Sequence, residues 1–149
     1  MKKIYIFLFI VLAAIAGHAQ STGKTEALTA MGGACGLLLY NTHMVLGMDA
    51  DAFAEEVYNA DKAIEIVAEQ LGGVETILKQ YDDLIHSGFL TDKEDIKFMK
   101  ELVAAFGLVQ DEGLALQQYI EDGTNGSAAK YDANRQTAWK EIQRLLGME

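Results

Sequence analysis

The sequence contains no proline, one cysteine, one tryptophan and only 12 basic residues against 22 acidic ones in 149 positions. Each scarcity excludes something. Ordinary usage of roughly 5% would place about seven prolines in a chain of this length. Their absence favours long helices over a turn-rich β architecture, because proline is the residue that breaks a helix. A lone Cys35 cannot close an intrachain disulfide or build a multi-cysteine zinc site. A net charge of −10 argues against an ordinary nucleic-acid binder, whose affinity comes from neutralising phosphates with Lys and Arg. Half the residues are apolar, so the chain is no disordered tail, and its length suits one domain rather than two.

Signatures of catalysis are missing as well. There is no G-x-S-x-G, no H-E-x-x-H and no Walker-type glycine loop, and the only serines are Ser21, Ser87 and Ser127. No C-x-x-C-H haem attachment occurs, and His43 and His86 would lie about 40 Å apart at helical rise, too far to share a ligand. A non-enzymatic protein without a cofactor is expected. Cys35, between Ala34 and Gly36 with no charge nearby, reads as a small buried residue. Asp82, Asp83 and His86 are weak metal candidates: their spacing puts a carboxylate and an imidazole on one helical face, with Asp92, Glu94 and Asp95 across the next turn. A di-iron bundle needs two such motifs plus two further carboxylates, and acids at a helix start are favoured by the dipole anyway. Asp122 and the residues up to Ser127 read as a turn and cap rather than a calcium loop.

What is present begins with Met1-Lys2-Lys3, an apolar run over 4–16, and small residues in Gly17-His18-Ala19. This is the pattern of a cleaved secretory signal over residues 1–19, leaving a single domain at 20–149. The run is shorter than the roughly 20 residues a membrane-spanning helix needs. Export follows, to the periplasm or envelope in a bacterium. The mature chain would carry 10 basic and 22 acidic residues, a net charge of −12 that repels nucleic acid and anionic lipid.

Turn chemistry is confined to 48–51, 87–91 and 122–127, which cuts the mature chain into four segments. The first, about 25–47, is uncharged from Ala27 to Met48 and apolar or small on all sides, which predicts a central buried helix or, alternatively, a membrane span. Gly32 and Gly36 permit close helix approach in either setting. In the second, Phe53, Val57, Ala60, Ile64, Val67, Leu71, Val74, Leu78, Tyr81 and Ile85 follow alternating steps of four and three, a long heptad helix passing through a bend at Gly72-Gly73. The third opens on a capping box between Thr91 and Glu94, with a seam of Ile96, Met99, Val103, Phe106, Gln110, Gly113, Gln117 and Ile120. The fourth carries Ala128, Tyr131, Arg135, Ala138, Ile142 and Leu145 on one stripe, beside Trp139. Short connections make consecutive helices antiparallel, so the expected fold is all-α: an up-down-up-down four-helix bundle with a longer central hairpin of helices 2 and 3.

Two functional surfaces follow from that arrangement. The turn positions leave residues 74–102 projecting by roughly 20 Å beyond the other helices, with Leu78, Tyr81, Ile85, Phe89, Leu90, Phe98 and Met99 on an apolar face. Such a face predicts association with a second copy or another helical protein. That is the leading expectation: a structural or interaction module. Near the opposite end, Asn41, Tyr58, Asn59, Gln117, Tyr131 and Arg135 gather at one height together with Thr42, His43 and Tyr119. This polar layer is either a hydrogen-bonded register device or a small-ligand pocket, the alternative function. A carboxylate-His metal protein is the third.

Overall fold

A computed structural model describes the backbone of residues 2–148 and the side chains of residues 26–148. The expected leader at 1–19 lies outside the residues described with their side chains. The chain divides into two units, 1–34 and 35–149. The first is a stretch of helix α1, Lys2–Ala54. The second is built from the remainder of α1 with α2 (Ala60–His86), α3 (Lys93–Asp122) and α4 (Asn125–Leu146). Among the described residues there are four helices and no strand.

The helix starts are written in capping side chains. Asn59 Oδ1 accepts from the Lys62 backbone N–H at 2.9 Å, Asp92 Oδ1 accepts from that of Glu94 at 2.7 Å, and Thr124 Oγ1 accepts from that of Ser127 at 3.1 Å. Each satisfies a donor with no partner inside its own helix. Helices α3 and α4 close on Gly123 and Gly147, both in the left-handed conformation that only glycine adopts without strain.

Cross-helix pairs fix the directions. Between α1 and α4, Gly36 meets Leu146, His43 stacks on Trp139 and Gly47 meets Arg135, so the two run antiparallel. Between α3 and α4, Lys130 bonds Gln118 and Arg144 bonds Glu101, again antiparallel. Cys35 bonds Tyr81 across α1 and α2, and Tyr81 packs edge-on against Phe106 of α3. His43 pairs with Glu112 and Phe53 with Tyr119, so α1 and α3 are parallel. This is the up-down-up-down bundle, and α2 and α3, with 27 and 30 residues, form its longer hairpin. Its centre is Phe106, Leu39, Leu46, Met99, Leu102, Leu116 and Ile142, all fully buried.

Several local expectations are corrected. The first turn is not at 48–51: α1 continues to Ala54 and the chain reverses over 55–59, where Glu56 takes a positive φ of 58°. Phe53 and Val57 therefore do not belong to α2. The heptad rhythm crosses the break because spacing is blind to caps, whereas Asn59 followed by Asp61 carries the start signal. Helix α3 is capped by Asp92, not by Thr91. Its buried stripe runs Met99, Leu102, Ala105, Phe106, Val109, Glu112, Gly113, Leu116 and Ile120, leaving Val103, Gln110 and Gln117 at its edge. The true stripe keeps Met99, Phe106, Gly113 and Ile120 and joins them to Leu102, Val109 and Leu116, one residue before the predicted Val103, Gln110 and Gln117; both series repeat every seven residues, so spacing alone does not choose between them.

Moving the turn by about seven residues shifts the pairing of α1 with α2 by about twice that, roughly 20 Å at helical rise, because one helix lengthens as the other shortens. Cys35 consequently stands beside Tyr81, and Arg144 reaches Glu101, so far less of the hairpin projects than expected. Nor is α1 buried all round. Cys35, Leu39, Thr42, His43, Leu46 and Asp49 face inward, while Leu37 (61% exposed), Met44 and Met48 face solvent. In a four-helix bundle every helix keeps an outward face. Among the described residues no helix is long and apolar enough to cross a membrane, which removes that alternative for residues 27–48.

Candidate functional site: a buried carboxylate behind the α1–α4 cleft

Glu112 is fully buried, a carboxylate set into the apolar stripe of α3 between Val109 and Leu116. Two cationic or donor groups converge on it. From α1, His43 Nδ1 lies 2.8 Å from Oε2; from α4, Arg135 Nη1 lies 3.5 Å from Oε1. Burial pushes the Glu112 carboxyl above its usual range, and the His43 bond and the Arg135 charge pull it partly back. Desolvation is the larger effect, so the carboxylate is a strained charge, tolerated only because partners surround it.

Each partner is itself held. The Arg135 Nη1 also donates to the Tyr131 hydroxyl at 3.0 Å, one helical turn back, and that hydroxyl donates to the Leu46 carbonyl at 3.5 Å. Burial, the dominant cause, pushes the Tyr131 phenol up to about 12, so it stays neutral and is no activated nucleophile. The His43 ring stacks on the Trp139 indole with centroids 5.3 Å apart and planes within 10°, and Tyr40 tilts against the same indole at 6.0 Å. The guanidinium lies on the backbone of α1 at Gly47, where a Cβ would overlap it.

That glycine yields a signed prediction. Replacing a mid-helix Gly by Ala normally raises stability by up to about 1 kcal/mol through helix propensity. Gly47→Ala is instead expected to lower it by about 1–2 kcal/mol, because the methyl evicts the guanidinium from a charged hydrogen bond. Urea denaturation checks this, and an unchanged or stabilised variant would show that Arg135 does not rest on Gly47.

In front of this cluster, α1 and α4 leave a cleft of about 450 Å³ lined by His43, Met44, Asp132, Arg135, Gln136 and Trp139. The volume falls within the usual range for small-ligand sites, roughly 300–1,000 Å³. The chemistry it offers is recognition: a planar cation with donors beyond the engaged Nη1, an indole and thioether for apolar contact, and an amide and a carboxylate among its lining residues.

Of the residues singled out from sequence, the structure joins Tyr131 and Arg135 with His43, and leaves the others apart. Asn41 is exposed, and Tyr58 lies in the 55–59 turn. Asn59 caps α2, and the half-buried Gln117 donates to Glu121 at 2.9 Å. On the hairpin face, Tyr81, Leu90 and Met99 are buried, Leu78 and Ile85 half-buried, and Phe89 and Phe98 exposed. His86 Nδ1 sits 2.8 Å from the Asp82 carbonyl and 3.4 Å from its Oδ1, with both side chains largely in solvent. Asp83 is exposed too. Among the described residues no three His, Cys, Asp or Glu side chains converge as a metal site would require. Cys35 is buried against the Tyr81 hydroxyl, whose pKa rises through burial first and that bond second.

Glu112 itself escaped sequence reasoning. Its signal was present, as a carboxylate in step with Val109 and Leu116 on an apolar stripe, but one acid among 22 carries no motif. Asp49 escaped in the same way, read as turn chemistry. It is 2% exposed, and among the described residues neither of its oxygens has a hydrogen-bond partner.

The fold and cluster define an all-α four-helix bundle with a ligand-sized cleft beside a buried ion pair. Comparison with protein-family models, characterised proteins and solved structures finds no match.

Proposed function

We propose that this chain is an exported, non-enzymatic binding bundle whose α1–α4 cleft takes a small carboxylate with an apolar or aromatic body. The observation that carries the reading is Arg135. Its Nη1 is fixed by Glu112 and Tyr131, which orients a guanidinium that lines the cleft. A pre-oriented guanidinium fork matches a carboxylate in two parallel bonds, and the adjoining indole and Met44 suit the ligand's apolar part. Export rests on the leader at 1–19, and mass spectrometry finding a mature amino terminus near Gln20 would support it.

Trp139 is the sole tryptophan and lines the cleft, so its fluorescence reports occupancy directly. A panel of small aliphatic and aromatic carboxylates is expected to contain members that change Trp139 emission and raise the melting temperature. Arg135→Lys keeps the charge but loses the fork, and is expected to weaken such a ligand by about tenfold or more. A panel without effect at millimolar concentration, or undiminished binding by Arg135→Lys, would overturn the reading.

A second reading, association with another copy, has one observation in its favour: Phe89 and Phe98, at the hairpin tip, are 56% and 39% exposed. Sedimentation at two concentrations tests it. A monomer at both would remove it, and a dimer lost in Phe98→Ser would sustain it.

A further inference from the structure

We propose that a second site, independent of the α1–α4 cleft, lies between α1 and α2 and binds a short protonated amine through Asp49. Asp49 is 2% exposed, and among the described residues neither carboxylate oxygen has a hydrogen-bond donor. Buried carboxylates are otherwise paired or hydrogen-bonded, because desolvation without compensation is among the costliest arrangements a fold can hold. Glu112 shows the ordinary solution in this same bundle, with His43 and Arg135 brought to it. Asp49 has the burial without the partners.

Beside it is a cavity of about 230 Å³ lined by Val45, Met48, Asp49, Ala52, Tyr58 and Ile66. At about 30 Å³ for a water-sized group, it has room for roughly seven such groups, which is the scale of a short alkyl chain with one polar head. Its walls choose the class of occupant. The charge of Asp49 calls for a cation, and the remaining lining is aliphatic, thioether and aromatic, with no second carboxylate among the residues that form it. A metal ion of the calcium or magnesium type needs six or more oxygens. An alkylammonium needs one carboxylate for its head, an apolar wall for its chain, and gains from an aromatic face nearby. Asp49 also sits in the last two turns of α1, where the helix dipole favours positive charge.

The chain's own nearby cation does not fill the place. Lys62, at the start of α2, has its Nζ 3.0 Å from Glu65 and acts on Asp49 only through space. Access requires little movement: Met48 is 66% exposed and Tyr58, in the 55–59 turn, 37%.

The test uses n-butylammonium as probe, added to the purified full chain carrying ¹³C-methyl methionine, with the Met48 methyl signal identified through Met48→Leu. Saturable shifts of that signal at millimolar probe are expected. Asp49→Asn, which keeps the side-chain shape, is expected to bind about tenfold or more weakly while its circular dichroism is unchanged. Lys62→Gln is expected to bind at least as well as the parent. The proposal is overturned by butanol binding as well as butylammonium, by undiminished binding in Asp49→Asn, or by the absence of any shift. It is equally overturned if the probe enters only Lys62→Gln, since Lys62 would then be the natural occupant.

Discussion

Arg135→Met is expected to cost the bundle about 3 kcal/mol at neutral pH, measured by urea or guanidinium denaturation. The methionine replaces the lost apolar stem of the arginine but strands Glu112 in the core with His43 as its only remaining partner. Removing one member of a buried pair typically costs about 3–5 kcal/mol; Arg135 retains 31% exposure, which places this case at the lower end. The decisive companion is Arg135→Met combined with Glu112→Gln. Burial already holds the Glu112 carboxyl above its usual pKa, so the neutral amide is better suited to an unpartnered position than the charge. The double variant should therefore recover most of the loss. Acid should do the same for the single variant. A raised carboxylate pKa means that the folded state holds its proton more tightly than the unfolded one, so the penalty of Arg135→Met grows as pH rises through that pKa and shrinks below it. A single variant within about 0.5 kcal/mol of the parent, typical of unremarkable surface changes, would dismiss Arg135 as an anchor. A double variant no more stable than the single one would dismiss Glu112 as the reason.

The second large effect has the opposite sign. Asp49→Asn is expected to stabilise the protein by about 1–2 kcal/mol at pH 7. The folded-state pKa of Asp49 is raised to about 6, with burial the main cause and the Lys62 charge opposing it. Against an unfolded value near 3.9, the folded chain binds the extra proton between about pH 4 and 6, and stability falls as pH rises through that window. Two pKa units correspond to nearly 3 kcal/mol, from which the unpaired amide of the replacement subtracts about 1 kcal/mol. The advantage of Asp49→Asn should accordingly widen from pH 4 to 6 and stay level from 6 to 7. A difference that is constant across the whole range would mean that the carboxylate is not buried in solution.

These expectations turn on residues that differ in how visible they were beforehand. Arg135 stood out in the sequence because a guanidinium on a stripe with Tyr131, Ala138 and Ile142 must snorkel or find a carboxylate. Its partner did not stand out, since the pairing depends on which phase of the heptad α3 turns inward, with Leu102, Val109 and Leu116 rather than Val103, Gln110 and Gln117. The true buried stripe puts Glu112 inward and leaves Gln117 half-buried at the edge. Asn41 and Asn59 illustrate the converse error. Both are polar residues that the turn at 48–51 would have set at one height, yet one faces solvent and the other is spent on a helix cap at the later turn. Height along a bundle follows from the turn positions and is only as good as they are, as the first turn shows; the direction a side chain faces is harder still, since an error of one residue turns it by about 100°.

The amino-acid sequence by itself determined the class of the fold. Missing prolines, one apolar run, three amphipathic runs and three short polar interruptions leave a chain little choice except antiparallel helices with their apolar surfaces together. Tertiary structure alone decided which polar groups those stripes enclose. The seven-residue shift of the first turn set α1 against α2 and α4, brought His43 and Gly47 to Glu112 and Arg135, and closed Asp49 away from water without a partner. Apolar burial is summed over many residues and tolerates slippage, so the fold can be read from pattern. A hydrogen bond or an ion pair depends on fractions of an ångström between particular atoms, and only the packed helices fix those.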